Sequence, residues 1–230
     1  MVEICYFLKI FYIFNSIYCK LIYSMIQYYQ TVGSFFGGHM KKSEILDKSL
    51  ELFANQGYFG TSMDDIAKAV GIKKASLYSH YAGKESIFTA VFNNILDDYS
   101  SFINNLTACS EKTNCLDRLT STFSGYVKNC KDNNKMVFWD RYYYYPPEYL
   151  KDYIQNKTYE IEMLFIEKIK TIVELGIKNG EIKDKNAYDI ALSFYYMMIG
   201  FSMGIKFYND KDIDNDIAKC ITVFLDGIRQ

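Results

Sequence analysis

The apolar residues of this chain recur every three to four positions over most of its length, which is the period of amphipathic helices. The first regular stretch, from Lys41 to Gln56, places Ile45, Leu52 and Phe53 on one face. Gly57 follows at a position where a glycine commonly ends a helix. The pattern therefore predicts a first helix that ends at Gly57.

Two short helices are predicted after it, joined by a glycine turn. The segment Thr61–Asp64 combines hydroxyl residues with an acid, which is a common helix start. Its helix carries Ile66 and Val70 inward, and a second short helix over residues 73–81 carries Leu77 inward. A helix, a tight turn and a second helix of this length form a helix-turn-helix motif, whose second helix enters the major groove of DNA.

The rest of the chain is predicted to be helical too, so the fold class is all-α, with a three-helix head followed by a larger helical domain. The further predicted helices are Glu85–Asn105, Leu116–Cys130, Lys135–Tyr145, a long helix from Pro147 to Asn179, Ala187–Phe207 and Ile213–Ile228. The helix of residues 187–207 contains a charge-free run, 190–205, that is apolar on all sides. Because such a helix must be covered on every face, we expect a ligand-binding core on one side and a second subunit on the other.

Composition and charge limit the function. Half of the 230 residues are hydrophobic and 23% are charged, as in a packed soluble protein. The net charge of −1 provides no overall positive field, so any DNA contact must come from a local patch. Residues 71–84 provide one, because they contain Lys73, Lys74 and Lys84 and no acidic residue.

Residues of the usual catalytic and metal-binding kinds are scarce. The chain has two histidines, His39 and His80, and its six cysteines form no C-x-x-C pair. This composition argues against a histidine-rich metal site, a zinc ribbon and a thioredoxin-type site. The alternative of a helical enzyme is disfavoured, although aspartates and glutamates leave carboxylate chemistry open. We expect no enzymatic activity, no metal and no cofactor.

The segments Gly57–Ala67, Gly71–Tyr81 and Lys84-Glu85 together resemble the N-terminal DNA-binding domain of the TetR family. The resemblance extends from Ser43 to Phe88, and the remaining residues are similar to the family only in their helical layout. It implies a homodimer that binds a palindromic operator in double-stranded DNA and is released by a small-molecule effector. The expected function is therefore a ligand-responsive transcriptional regulator, with a repressor as the expected type.

The resemblance also implies which residues contact DNA. It places base contacts on Lys74, Ala75 and Ser76. The phosphate contacts that it implies are Thr61, Ser62, Tyr78, His80 and Lys84.

Two of the candidate DNA contacts carry an additional argument. Lys73 stands where the family usually has a capping serine, and a lysine at a helix N-terminus opposes the helix dipole by about 0.3–1 kcal/mol. A DNA phosphate would relieve this, so Lys73 is a further DNA-contact candidate. For His80, a partly buried and hydrogen-bonded core position is the alternative.

A ligand site and a dimer interface are expected in the later helices. The segment Phe138–Tyr145 is aromatic, and its rings suit a lipophilic or aromatic ligand, including a lipophilic cation, with ordinary core and surface packing as the alternative. The candidate ligand residues are Trp139, Tyr142, Tyr159, Met163, Tyr195, Tyr196 and Met198. The candidate dimer residues are Phe201, Ile205, Ile217, Ile221, Phe224 and Ile228.

The first 39 residues differ from the rest, with only three charges but six tyrosines and five phenylalanines. Their composition matches A/T-rich codons. The Gly37–Met40 end can be encoded by a ribosome-binding purine run before a start codon, and it also resembles a cloning scar at a vector junction. We therefore expect residues 1–39 to be a non-native leader. A folded extension and a membrane-associated leader are the alternatives, the latter giving a tethered regulator anchored by residues 1–30.

The predicted organisation is thus a leader, residues 1–39, a helix-turn-helix domain, residues 40–86, and a ligand-binding and dimerisation domain, residues 87–230. A cytoplasmic location without a membrane partner is expected. The effector and the operator sequence are left open by the residues alone.

Overall fold

The computed structural model describes residues 42–108, 113–130, 134–207 and 212–230, and the predicted leader lies outside these ranges. The described residues form nine α-helices and two short 3-10 turns. The helices are α1 (42–60), α2 (Met63–Val70), α3 (Lys74–His80), α4 (Lys84–Thr107), α5 (Cys115–Asn129), α6 (Asn134–Tyr144), α7 (Lys151–Lys178), α8 (Ala187–Gly204) and α9 (Ile213–Ile228), and the turns are Glu148–Leu150 and Ile205–Phe207. The prediction of an all-α fold is confirmed.

Side chains at the helix starts explain where several helices begin. The Ser62 hydroxyl accepts a hydrogen bond from the backbone N–H of Asp65 at 3.2 Å, and the Asp65 carboxylate accepts one from the backbone N–H of Ser62 at 2.9 Å. This reciprocal pair satisfies donors that a helix leaves free at its first turn. At the starts of α5, α8 and α9, one side-chain oxygen of Asn114, Asn186 and Asp212, respectively, accepts a hydrogen bond from a backbone N–H of the first turn.

Glycines shape the chain at two turns. Gly71 ends α2 with φ 72°, a left-handed conformation that costs a glycine little. Gly57 also has a positive φ, 78°, yet α1 continues to residue 60. The prediction that the first helix ends at Gly57 is therefore wrong, because the chain makes one more helical turn beyond the left-handed residue.

We call α1–α3 the head and α4–α9 the body. The head is packed around Ile45, Phe53, Ile66 and Leu77, all fully buried. In the body, α8 lies along the long helix α7, and α5 contacts α4, α7, α8 and α9. The predicted domain boundary at residues 86 and 87 falls in the first turn of α4 and stays a prediction.

An aromatic cluster joins head and body. The Phe88 ring of α4 lies 5.4 Å from the ring of Phe53 in α1 and 4.7 Å from that of Tyr142 in α6. The Tyr142 hydroxyl donates a hydrogen bond to the backbone oxygen of Phe53 at 3.1 Å. Helix α6 therefore contacts the head directly, so a movement of α6 would displace its contacts with the head.

Candidate DNA-binding surface and ligand cavity

Helix α3 is the exposed element of the helix-turn-helix. Leu77 is the buried residue of α3 and anchors it in the head core. The candidate DNA residues that are exposed on α3 or at its start are Lys73, Lys74, Ala75, Ser76, Tyr78 and His80. This arrangement leaves one whole face of the helix free to enter a DNA groove.

The start of α3 concentrates positive charge. Lys73 occupies the N-cap position and makes no side-chain capping hydrogen bond. Lys74 pairs with Asp64 of α2 at 2.9 Å, and this hydrogen bond raises the pKa of the Lys74 ammonium. Both side chains of this pair are about half exposed, so water or a DNA phosphate competes for the lysine.

Lys84 and Thr61 have structural partners in the head. The Lys84 ammonium donates hydrogen bonds to the backbone oxygens of Tyr58, at 2.7 Å, and Thr61, at 2.9 Å, and lies 4.2 Å from the centre of the Tyr58 ring. Burial lowers the pKa of Lys84. The Thr61 side chain is 1% exposed, and its hydroxyl donates to the backbone oxygen of Gly57 at 2.9 Å.

The structure shows which of the candidate phosphate residues are exposed and which have other partners. Thr61 has no exposed side chain to offer DNA, so a phosphate contact from its hydroxyl is ruled out in this conformation for steric reasons. Lys84 fastens α4 to the α1–α2 turn, and its contact with a phosphate stays a prediction. His80 is exposed, so the alternative of a partly buried core histidine is wrong. Ser62 is exposed while it caps α2.

A narrow cavity of about 50 Å³ lies between α4, α5, α6, α7 and α8 in the body. Its aromatic walls are Tyr99, Tyr126, Trp139, Tyr143 and Tyr195. The Trp139 ring stacks on Tyr99 with 5.9 Å between ring centres, and the Tyr99 and Tyr126 hydroxyls are 3.4 Å apart. The lining is therefore largely aromatic, and its Trp139 ring is stacked on Phe92 as well as on Tyr99.

Three charged side chains line the same cavity. The Glu162 carboxylate of α7 accepts a hydrogen bond from the Tyr143 hydroxyl at 3.1 Å. Asp140 and Lys206 form an ion pair at 2.6 Å. Burial, and to a smaller extent the negative charge of Glu162, raises the pKa values of Tyr99 and Tyr195 and brings that of Tyr143 to about 12. The lining therefore holds two carboxylates and one ammonium.

The structure brings two of the seven candidate ligand residues, Trp139 and Tyr195, into this cavity. The other five do not line it. Tyr142 faces the head, Tyr159 and Tyr196 are 62% and 60% exposed, Met198 is fully buried in the core and Met163 is half-buried. These five assignments are not placed at this cavity and stay predictions, because neighbouring residues on a helix point about 100° apart and only one register faces the cavity.

Sequence reasoning missed Glu162, Lys206 and the tyrosines of α4 and α5. The aromatic run of residues 138–145 pointed at α6, and Tyr143, one turn after Trp139, is in that run. Glu162, in contrast, lies in a helix with many exposed glutamates, and the sequence carries no signal that separates it from them.

The candidate dimer residues are partly core residues of the single chain. Ile217, Ile221 and Ile228 are 3–7% exposed and so cannot form an interface in this conformation, which corrects these three assignments. They turn inward because the apolar stripe of α9 packs on α5 within the same chain. Phe201 and Phe224 are half-buried against Phe123 and Phe194, and Ile205 is half-buried.

Other apolar side chains of α8 and α9 face outward. Tyr196 on α8 is 60% exposed and Val223 on α9 is 76% exposed. A Cβ atom added to Gly200 or Gly204 would meet nothing within 4 Å, so this flank of α8 is open. The structure thus provides an exposed apolar surface on both helices, at other positions than those predicted.

The described ranges contain neither a membrane-spanning helix nor a metal-binding cluster. No helix within them is long and apolar enough to cross a membrane. No group of three or more histidine, cysteine, aspartate or glutamate side chains in these ranges is placed to hold a metal ion. The proposed anchor, residues 1–30, lies outside the described residues.

The described geometry is that of a helix-turn-helix DNA-binding protein with an all-helical body. Residues 45–91 match the family of bacterial regulatory proteins, tetR family. The biofilm operon icaADBC HTH-type negative transcriptional regulator IcaR of Staphylococcus epidermidis is 45% identical over 62 residues, 27% of this chain and 34% of that protein. The match thus spans about a third of the relative's length.

Solved structures share the fold of the larger part of the chain. A TetR transcription regulator from Haloarcula marismortui superposes with a TM-score of 0.68 and 17% identity over 84% of this chain and 100% of that one. AibR in complex with isovaleryl coenzyme A and operator DNA superposes with a TM-score of 0.57 and 19% identity, covering 80% of this chain and 97% of that one. Residues 45–91 thus match the TetR-family DNA-binding domain, and the larger part of the chain has the fold of TetR-family structures.

Proposed function

We propose that the protein is a ligand-responsive repressor that binds a palindromic operator as a homodimer and is released by a small effector. The observation that carries the proposal is the exposed face of α3, where Lys73, Lys74, Ala75 and Ser76 lie on a helix whose buried residue is Leu77. The proposed place of action is the cytoplasm, where the DNA would be.

The DNA contacts follow from the chemistry of this face. Ala75 is small and Ser76 is short, so the backbone of α3 can approach the base edges, and the Ser76 hydroxyl can donate or accept a hydrogen bond there. Lys73 carries a charge at the helix start and suits a phosphate. Tyr78 and His80, exposed further along α3, suit phosphates at the groove edge.

In the proposed homodimer, the two α3 helices have the spacing of two successive major grooves. Palindromic half-sites present successive major grooves about 34–36 Å apart, so a symmetric pair of heads is needed. The outward Tyr196, Gly200 and Val223 offer an apolar surface on α8 and α9 for the second subunit. Such a surface is typical of a subunit interface.

Helix α6 lines the cavity and also contacts the head, and this supports control of DNA binding by a ligand. Trp139 and Tyr143 of α6 line the cavity, while Tyr142 of the same helix bonds to Phe53 in the head. A ligand that binds more tightly to one position of α6 shifts the head between two arrangements, only one of which has the operator spacing. AibR, a structural relative seen with isovaleryl coenzyme A and operator DNA, supports such a combination of ligand and DNA.

The repressor type is supported by the relative IcaR, which is described as a negative transcriptional regulator. Selection of bound fragments from random double-stranded DNA with the full chain tests the proposed function. We expect enrichment of one palindrome whose half-sites lie one helical turn apart. Failure to enrich any sequence contradicts the proposal.

The salt dependence of binding to the selected palindrome tests the contacts themselves. Lys73→Ala removes one phosphate contact per subunit, and at about 0.9 counterions per contact the slope of log K against log salt flattens by about 2 per dimer. The selected sequence stays the same, because phosphate contacts carry no base information. The control is Lys178→Ala at the end of α7, an exposed lysine of the body whose loss leaves the slope unchanged.

A further inference from the structure

The charges in the body cavity do not balance. Asp140 and Lys206 neutralise each other at 2.6 Å. Glu162 accepts a hydrogen bond from Tyr143 at 3.1 Å, and within the described ranges no lysine, arginine or histidine forms a salt bridge with it. Since the lining holds two carboxylates and one ammonium, one negative charge is left without a cation.

The walls around this charge are aromatic. The Trp139 ring stacks on Tyr99 with 5.9 Å between ring centres and lies 6.0 Å from that of Tyr143, and Tyr195 closes the side from α8. The face of an aromatic ring carries negative electrostatic potential and attracts a cation, most strongly for tryptophan. A ring that turns a face to the cavity would therefore favour the same sign of charge as the carboxylate.

We infer that this cavity binds the ammonium group of a small organic cation, with Glu162 as its counter-ion and the rings of Trp139, Tyr99 and Tyr143 as its walls. The inference rests on the proposed function, because such a cation would be the effector. Burial, and to a smaller extent Glu162, raises the pKa values of Tyr99, Tyr143 and Tyr195. Their hydroxyls are therefore neutral near pH 7, as in an ordinary tyrosine.

The size of the cavity limits what enters it. A water needs about 10–15 Å³ of such space, so about 50 Å³ accommodates a compact headgroup rather than a large drug-like molecule. Tyr144 and Met203 also line the cavity, and the Tyr144 hydroxyl donates a hydrogen bond to the Met203 sulfur at 3.0 Å.

An anionic effector is the competing possibility, because Lys206 also lines the cavity. Its ammonium is already paired with Asp140 at 2.6 Å, and the Lys206 side chain is only 20% exposed. An anion would have to break this pair and then face the Glu162 carboxylate. The geometry favours the cation.

Three probes of one shape and different charge test this inference. The probes have similar branched skeletons. Choline is positively charged, 3,3-dimethylbutan-1-ol is uncharged and 3,3-dimethylbutanoate is negatively charged. Trp139 is the one tryptophan of the 230-residue chain, so its fluorescence reports binding in the cavity directly. We expect a saturable change with choline, at an affinity at least about tenfold above that for the neutral alcohol, and none with the carboxylate.

A pair of glutamate variants locates the counter-ion. Glu162→Gln keeps the shape of the side chain and removes its charge, so choline binding weakens about tenfold or more. The matched control is Glu160→Gln, which removes the same charge two residues away. Glu160 pairs with Lys157 at 2.7 Å and does not line the cavity, so choline binding stays within about twofold.

Each outcome decides the inference. Equal affinity for the three probes, preference for the carboxylate, no fluorescence change with choline, or equal effects of the two glutamate variants overturns it. The probe comparison uses the unaltered chain, so it decides even if Glu162→Gln does not fold. Because binding is measured without DNA, these failures leave the DNA selection intact, and a failed DNA selection leaves the choline result intact.

Discussion

The head has its candidate contacts on an outer surface, whereas the body has them around an internal cavity. The head exposes its candidate contacts on α3, a helix of seven residues of which only Leu77 is buried. The body encloses its candidate contacts among five helices, and its polar groups face a cavity. The proposed DNA contacts are thus exposed, whereas the residues of the proposed ligand site surround a cavity.

The comparison with known proteins divides along similar lines. A relative is 45% identical over 62 residues only, whereas solved structures cover 80–84% of the chain at 17–19% identity. A DNA-reading helix is tied to particular small and charged residues at fixed positions. A helical body needs only apolar stripes of suitable volume, and many sequences provide these.

The largest expected effect comes from breaking the junction of the two regions. Phe88 is fully buried and its ring contacts rings of α1 and α6. Phe88→Ala lowers the free energy of unfolding by about 3–5 kcal/mol, because it deletes a buried ring and leaves a cavity. Thermal denaturation followed by circular dichroism measures this.

The control for this change is Phe59→Ala. Phe59 is 79% exposed in the head, and its loss changes the free energy of unfolding by no more than about 0.5 kcal/mol. Equal effects of the two variants would show that the aromatic cluster does not hold head and body together.

A charge on the outer surface of α9 tests the pairing of two bodies. Val223 is 76% exposed, so Val223→Glu leaves the single chain folded but buries a charge in a dimer, at a cost of about 2 kcal/mol or more. Sedimentation then finds a weakened dimer. Lys178→Glu, at the exposed end of α7, leaves the dimer intact, and a Val223→Glu dimer of unchanged strength places the interface elsewhere.

A smaller effect is expected from the hydrogen bond between the regions. Tyr142→Phe removes the hydroxyl that bonds to the Phe53 carbonyl and costs about 1 kcal/mol of stability. The head also loses part of its link to α6, so an effector changes operator affinity less. Because Tyr145 is 81% exposed, Tyr145→Phe alters neither the stability nor the effector response. Identical behaviour of both variants argues against α6 as the connecting element.

The sequence predicted the fold because the helical signals are local. Gly71 ends α2 where the pattern indicates a helix end, and the cap at the start of α2 is Ser62 with Asp65, one residue after the predicted Thr61 and Asp64. The exception is Gly57, where a left-handed residue did not end α1. An isolated glycine shows that a conformation is allowed, but not that the helix stops there.

The cavity was predicted poorly because it depends on helix rotation. Trp139 and Tyr195 were found, but the neighbouring Tyr196 was assigned to the same wall and points to solvent. Likewise, the stripe of Ile217 and Ile221 shows that α9 has an apolar face, while the partner that covers it is α5 of the same chain. A periodic pattern identifies a buried face but not what buries it.

The most direct test of the account is the base preference of Ser76→Ala, measured by selection from random DNA and by salt titration on the selected site. Ser76 is exposed near the start of α3. If α3 reads bases, discrimination weakens by about 1 kcal/mol at one base pair in each half-site, while the salt slope is unchanged. An unaltered preference at every position, or a loss of affinity that is equal for all sequences, contradicts the assignment of α3 as the reading helix.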